Sequence, residues 1–386
     1  MLNRDELAEQ ITRLHERDVR EGGQAVRPED IPVSYDALTT EWLTAVVCRE
    51  HPGARVTGFS FSEQDDGSTN RRRIFLDYND AGKQAGLPAS VFSKASHSLV
   101  SRFNMGLCGA AHGEKMFYTR IRPLLDLEAP RALYSDYDPQ SFAGIVVLED
   151  LADQVVFPDQ NVHVDWDRAT SMVKLLANLH ATMHEHAALD SFDMPSWQQW
   201  WKRVCDYVYM KETAETGFLA AESVIPARLF ARYEEFWPAA MASVAAHDNL
   251  PRTLIHNDVH LRNWYLRLPS EMGLMDWQCA AIGNWSRDYS YAMTVALDIE
   301  DRRRWEKDLL RLYLDEVAAR GAPAPSFDEA WRLYRTQMPS ALAWWTNTLR
   351  PSELQPQDMQ PQDTALTFIG RIAHAMDDLE ILDDYA

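Results

Sequence analysis

Cysteine, positive charge and long apolar runs are what this chain has least of. Its four cysteines, Cys48, Cys108, Cys205 and Cys279, lie far apart and show no metal-ligand spacing. That argues against a thiolate metal centre and suits a reducing compartment. Lysine and arginine number 38 against 58 acidic residues in 386, a formal net charge of -20. The balance removes the basic surface that a nucleic acid or an anionic membrane would require. No stretch approaches the roughly 20 apolar residues of a membrane span. The first residues, "MLNRDELAEQITRLHERDVR", lack the apolar centre of a secretory leader. Internal repeats and low-complexity segments are also missing. The expectation is a soluble, cytoplasmic protein with no nucleic-acid and no membrane partner, its oligomeric state left open. The acidity is compatible with a cationic small molecule, although many soluble enzymes are acidic for solubility alone.

The length allows two or three domains, or one bilobal enzyme. Leu7, Ile11 and Leu14, spaced by four and three, predict an amphipathic helix over 4–19. Thr39 or Thr40 is placed to cap a second helix, "EWLTAVVCRE". Between 55 and 94 the period drops to two. "ARVTGFSFSEQ", "RRIFLDYN" (Ile74, Leu76 and Tyr78 on one face) and "LPASVFSK" predict an antiparallel meander, with "DDGSTNRR" as a turn. A helix is expected around 109–122 and a strand at 131–137. The apolar run "FAGIVVLEDL" at 142–151 suits a buried central strand. From about 165 the pattern is helical, except for short strands and polar turns over 253–278. "RPSELQPQDMQPQDT" at 350–364 predicts a surface loop. The implied plan is a helical extension (1–38), a β-rich lobe (39–149) and a helical lobe (150–386), with a ligand cleft between the lobes.

The densest polar chemistry is in "TLIHNDVHLRNWYL" at 253–266. Two readings compete. His256, Asp258 and His260 alternate, so a strand would put them on one face, and with Asp276 they would suit zinc or iron in a metallohydrolase or oxygenase. Alternatively, Asp258, then Asn263 five residues on, then Asp276 thirteen further, supply the parts of phosphoryl transfer. That chemistry needs a carboxylate to orient and deprotonate an acceptor hydroxyl, and hard oxygen ligands for magnesium on nucleotide phosphates. The Asp-x-x-x-x-Asn spacing is that of a kinase catalytic loop. His256 and His260 would then support the loop by hydrogen bonds to backbone.

"HNDVHLRN" followed by "LMDWQ" resembles the paired motifs of the aminoglycoside phosphotransferase and choline kinase superfamily, and among its members most of all the ecdysteroid-kinase-like subgroup. The resemblance runs from about 39 to 300 and implies an α+β, bilobal protein-kinase-like fold: an N-terminal antiparallel β-sheet lobe with a helix, and a larger, mostly helical C-terminal lobe. It implies that Lys94, closing "LPASVFSK", pairs the nucleotide phosphates and that Glu114 in "GEKMFYTRI" holds that lysine, with Glu128 as a rival. It places a hinge for adenine at Glu149, Asp150 and Leu151, and a phosphate loop at Gly67, Ser68 and Thr69. "LLANLHA" matches the family's Leu-His-Ala helix, where His180 is expected to be packed. Asp288 in "GNWSRDYSYA" matches the residue that ties down the catalytic loop.

The resemblance thus implies an ATP- and Mg2+-dependent phosphotransferase acting on a hydroxyl of a small molecule, with Asp258 catalytic and Asn263 and Asp276 on the metal. The acceptor could be an aminoglycoside, a choline-like amine, a hydroxyacyl thioester or an apolar alcohol. A non-catalytic nucleotide-binding protein is the alternative on the same fold. Two residues depart from the family pattern: Asn257 stands where glycine is common, and Trp264 follows the metal-binding Asn. Trp197, Trp200 and Trp201 recur at helical spacing, which is normally core packing but also suits a wall for an apolar acceptor, as do Trp344 and Trp345. The acidic end "DDLEILDDY" is either a solvated helix or an attractor for a cationic acceptor.

Overall fold

A computed structural model describes residues 3–385 apart from 354, 356, 358 and 359. Part of the Pro/Gln-rich loop expected at 350–364 therefore lies outside the described residues, and a helix already begins at Gln362. The chain forms two compact units. The first comprises Met1–Leu124, Pro130–Asp153 and Glu353–Pro356, the second Leu125–Ala129, Gln154–Ser352 and Gln357–Ala386.

In the first unit, α1 (Arg4–Glu21) begins at a reciprocal cap between Asn3 and Glu6. Thr39, the first of the two candidate caps, accepts from Trp42 N–H and starts α2 (Thr40–Val47). The meander is a six-stranded antiparallel sheet of β1 (Val56–Phe61), β2 (Asp65–Asp66), β3 (Asn70–Tyr78), β4 (Ser90–Ala95), β5 (Ala132–Tyr137) and β6 (Gly144–Glu149). The strand order is β1-β3-β4-β6-β5, with β2 hairpinned onto β3. Ile74, Leu76 and Tyr78 do share one buried face, packed with Val91, Val147, Trp42 and Leu43. Burial at about 1.5–3 kcal/mol per large side chain makes this cluster the main stabiliser of the unit. The helix expected at 109–122 is α5 (Ala110–Met116), continued by one π-helical turn, Phe117–Ile121. Two helices were not foreseen, α3 (Asp80–Gln84) and α4 (Leu99–Leu107). The second owes its start to Ser98, whose side chain accepts from Ser101 N–H.

The second unit contains α6 (Trp166–Thr182), α7 (Trp197–Val208), α8 (Met210–Ala220), α9 (Ala227–Phe230), α10 (Tyr233–Ala245), α11 (Trp285–Ala296), α12 (Ile299–Ala319), α13 (Phe327–Thr336), α14 (Met338–Leu349) and α15 (Gln362–Asp378). The strands foreseen near 253–278 are two antiparallel pairs, β7 (Thr253–Ile255) with β10 (Ala281–Gly283), and β8 (Trp264–Arg267) with β9 (Glu271–Leu274). Helix α14 packs against α8, α10 and α15. Its approach to α8 is set by Gly217, where a methyl group would stand 1.9 Å from the Thr346 carbonyl oxygen. Trp197, Trp200 and Trp201 are at most 3% exposed and pack on one another, so they belong to the core. Among the described residues, no helix is long and apolar enough to cross a membrane.

Candidate active site

In the first unit Lys94 and Glu114 meet. The β4 lysine Nζ lies 2.8 Å from Glu114 Oε1 of α5, and both side chains are almost fully buried. Glu128, the rival partner, is in the second unit and accepts from Tyr265 O–H and Arg267 instead. A cavity of about 20 Å³, room for about one water, is lined by Lys94, Glu114 and Thr69. Such a buried pair persists only because each charge compensates the other.

The segment expected to cradle phosphate is the tip of the β2–β3 hairpin. Gly67 N–H donates to Thr69 O within the tip, and Thr69 is buried at the wall of the Lys94–Glu114 cavity. The acids before it do not repel an anion unaided: Arg71 pairs with Asp65, and Asn70 donates to Asp66. At the hinge, Glu149 accepts from Arg131 N–H, while Asp150 accepts from Ser90 O–H at 2.6 Å and from Arg73 at 2.7 Å. Burial would raise the Asp150 carboxyl, but these donors lower it on balance. Leu151 is buried. The Glu149 and Asp150 carboxylates thus brace the unit, and the main chain of this segment is what it could offer a ligand.

In the second unit the strands explain why Asp258, Asn263 and Asp276 come together. Asp258 lies in the loop between β7 and β8, and Asn263 immediately precedes β8. Trp264 pairs with Leu274, Met275 N–H donates to Asn263 O at 2.8 Å, and Asp276 is the next residue. Asn263 Nδ2 donates to Asp258 O at 2.7 Å and approaches Oδ2 at 3.3 Å, which turns its own Oδ1 away as an oxygen ligand. Asp276 adopts φ 63°, a left-handed conformation for which Asp is one of the tolerated residues. The amide oxygen of Asn263 and the carboxylate of Asp276, on neighbouring strand ends, could supply hard oxygen donors of the type magnesium takes.

The loop itself is pinned from below. Asp288 of α11, fully buried, accepts from His256 N–H at 2.6 Å and Asn257 N–H at 2.7 Å. His180 of α6 is packed between Asp288 (3.2 Å) and Tyr313 O–H (2.9 Å). His256 Nδ1 accepts from Asp258 N–H, so its Nε2 carries the proton donated to Met275 O at 2.9 Å. Burial lowers the pKa of that imidazole, keeping it neutral. With both nitrogens occupied, His256 has none for a metal, which overturns the His256–Asp258–His260 metal site. The trio that does converge among the described residues is His163, Asp298 and Asp301, whose acids already pair with Arg371 and Arg304. His260 packs edge-on to Trp345, with its Nε2 3.6 Å from Asp258 Oδ2.

Both departures from the family pattern now have physical causes. Asn257 sits at φ 70°, where glycine or asparagine is the cheap choice. Its side chain adds what glycine cannot: Oδ1 accepts from Arg287 Nε at 3.1 Å, and Nδ2 donates to Cys279 O at 3.2 Å. Trp264 is buried, and its indole N–H donates to Val259 O at 3.0 Å, closing the loop on itself.

Asp258 is 8% exposed. Its Oδ1 accepts from Trp344 Nε1–H at 3.0 Å and from Tyr291 O–H at 3.1 Å. Burial alone would raise its pKa, but the facing His260 and His256 rings and the Trp344 donor outweigh that and bring it to about 2. The carboxylate is therefore ionised throughout the neutral range. Sequence reasoning missed Tyr291 and Arg287 and left Trp344 as a choice between core and wall. Helix α11 is buried on every side, so no amphipathic period marks which of its residues face the loop.

Residues 101–327, more than half of the chain, match the phosphotransferase enzyme family. The chain belongs to that family. It is thus an enzyme of the aminoglycoside phosphotransferase and choline kinase superfamily, and phosphotransfer is its class of reaction. No curated protein matches the chain. Among solved structures, a microcompartment-associated aminopropanol kinase shares 13% identity with a TM-score of 0.50, over 89% of this chain and 98% of that one. A GDP complex of aminoglycoside 2'-phosphotransferase-IIIa has 13% identity and TM-score 0.47, over 90% and 97%. A macrolide 2'-phosphotransferase from Brachybacterium faecium has 16% identity and TM-score 0.42, over 80% and 92%. The aminopropanol kinase match supports the protein-kinase-like fold of this phosphotransferase.

Proposed function

We propose that this phosphotransferase uses ATP and magnesium to phosphorylate a hydroxyl group of a small molecule. The observation that carries this reading is the Asp258–Asn263–Asp276 arrangement: an ionised, oriented carboxylate beside an amide oxygen and a second carboxylate, on a loop held by Asp288. Asp258 orients the acceptor hydroxyl and takes its proton as the new bond forms. Its low basicity is no obstacle, because in a loose phosphoryl-transfer transition state positioning matters more than early deprotonation. Asn263 and Asp276 would hold magnesium, which when bound neutralises the phosphate oxygens. Lys94, fixed by Glu114, pairs with the nucleotide phosphates, and the main chain at 149–151 meets the base. The first unit is then the nucleotide-binding part and the second the acceptor-binding part. The aminopropanol kinase is named for a small acceptor, and we carry that acceptor size over. We place the reaction in the cytoplasm, where ATP is present and the four free cysteines stay reduced.

The test is Asp258→Asn, assayed for ADP release and for ATP binding in magnesium. Loss of turnover with ATP affinity retained is expected. Turnover close to wild type would rule out the assignment.

A further inference from the structure

Asp258 is held more tightly at one carboxylate oxygen than at the other. Two donors, Trp344 Nε1–H and Tyr291 O–H, converge on Oδ1 at 3.0 and 3.1 Å. The neighbours of Oδ2 are more distant, Asn263 Nδ2 at 3.3 Å and His260 Nε2 at 3.6 Å. A carboxylate accepts along about four lone-pair directions. Two donors on one oxygen fix the plane of the group and leave Oδ2 as the oxygen with capacity for a hydroxyl proton.

Trp344 also differs from the other tryptophans around it. Trp200, whose ring centroid lies 5.2 Å away, is 3% exposed, and Trp345 is 1% exposed, whereas Trp344 is only half-buried. It is the open member of a sealed aromatic cluster, and it is the member bonded to the carboxylate. The side chains against the pair carry no carboxylate: Tyr291, Asn263, His260 and Trp200, with the buried Arg287 guanidinium packed on Tyr291. The acidic end of the chain supplies little free negative charge. Asp377 and Glu380 pair with Arg228, Asp378 with Arg302 and Arg303, Asp383 with Arg232 and Asp384 with Arg335. A polycationic acceptor finds no carboxylate among these partners of Asp258 and Trp344.

We propose that Trp344 positions the acceptor: with Tyr291 it holds Oδ1 so that Oδ2 alone meets the hydroxyl, and its open ring face carries the apolar skeleton of an uncharged alcohol. The inference rests on Asp258 as the hydroxyl-orienting group. In the step it serves, the acceptor oxygen forms a bond to the γ-phosphorus of ATP while the bond from that phosphorus to the β,γ-bridging oxygen breaks. The hydroxyl proton passes to Oδ2 and then to solvent, and ADP leaves.

The test measures ADP release from magnesium-ATP with 2-phenylethanol, cyclohexanemethanol and 1-octanol as apolar acceptors, and with kanamycin and 1-amino-2-propanol as cationic ones. The apolar alcohols are expected to raise ADP release saturably above the rate in water. Trp344→Phe keeps a ring and loses the donor, so kcat should fall roughly tenfold with the half-saturating alcohol concentration unchanged. Trp344→Gln keeps an N–H donor and loses the ring, so half-saturation should rise roughly tenfold with kcat near wild type. Melting temperatures of both variants separate these effects from misfolding. Three results would overturn the proposal: no apolar alcohol exceeding the water rate, a cationic acceptor outpacing all of them, or both substitutions moving the same parameter equally. If Asp258→Asn keeps its turnover, the underlying reading of Asp258 fails instead, whatever the Trp344 variants do.

Discussion

Arg287 Nε donates to the side-chain oxygen of Asn257 at 3.1 Å, and the same guanidinium lies 4.6 Å from the Trp197 ring centre and 4.8 Å from that of Tyr291. A fully buried cation is thus held by an amide, a hydroxyl and two aromatic faces, and burial lowers its pKa. Asn257 therefore does two jobs, adopting a left-handed backbone and anchoring Arg287. Asn257→Gly should keep the first and lose the second, whereas Asn257→Ala loses both. The alanine variant should be less stable than the glycine variant by about 1 kcal/mol, the usual cost of a left-handed residue with a Cβ. Urea unfolding of the two variants checks this, and equal stabilities would contradict it.

Asp288 accepts the backbone N–H groups of His256 and Asn257 in the loop that carries Asp258. Asp288→Ala leaves both buried without a partner, at a cost of roughly 2–5 kcal/mol in total. Thermal unfolding should register the loss, and residual folded protein should have a strongly reduced kcat, because the loop that aims Asp258 is released.

The Lys94–Glu114 pair allows activity to be separated from stability. Lys94→Met strands Glu114 as a buried charge, which typically costs about 3–5 kcal/mol. Adding Glu114→Leu should restore much of the stability without restoring turnover. A double variant no more stable than Lys94→Met would show that the pair is not the source of the penalty.

Gly217 admits no side chain, since an added Cβ would lie 1.9 Å from Thr346 O. Gly217→Ala must push α14 away from α8, at a cost of about 1–3 kcal/mol. Trp344 lies two residues before Thr346, so the displacement should also weaken its hydrogen bond to Asp258. A lower melting temperature together with a lower kcat is expected, whereas the exposed Gly23→Ala, with nothing near its added Cβ, should change neither.

Asp258 also sets a pH dependence of stability. Its pKa is lowered on folding, from 3.8 to about 2. Its contribution is therefore fully present above about pH 4 and is lost as pH falls through 2, and amounts to about 2 kcal/mol. Acid unfolding of Asp258→Asn should lack that component. Curves that fall in parallel for wild type and variant between pH 4 and 2 would exclude it.

How much of the fold and site was legible in the sequence depended on whether the signal was local. Alternation in "RRIFLDYN" exposes its buried face directly, and Thr39 is a cap because the helix-forming run Thr40–Val47 starts at the very next residue. The spacing of Asp258, Asn263 and Asp276 survives because the loop and the β8–β9 pair are contiguous in sequence. Helix α4 was missed because its buried face is partly polar, with Ser101 and Arg102 beside Met105 and Leu107, so apolar residues alone do not mark it. The Gly67–Thr69 cradle rested on a resemblance, and only the structure shows Gly67 N–H bonded to Thr69 O within the hairpin tip.

The sequence by itself determined the class of this protein: an antiparallel meander, a helical remainder, and a 253–278 stretch whose spacing of two carboxylates and an amide resembles that of the phosphotransferase family. Those features depend on residues close together along the chain, where period, spacing and caps act. The tertiary structure alone decided which side chains tune the loop. Trp344 lies 86 residues from Asp258, Arg287 thirty from Asn257, and Asp288 thirty-two from His256. Such contacts arise from packing of α11 and α14, whose residues face the core all round or nearly so, and a helix buried on every side has no polar face to show which residue meets the site.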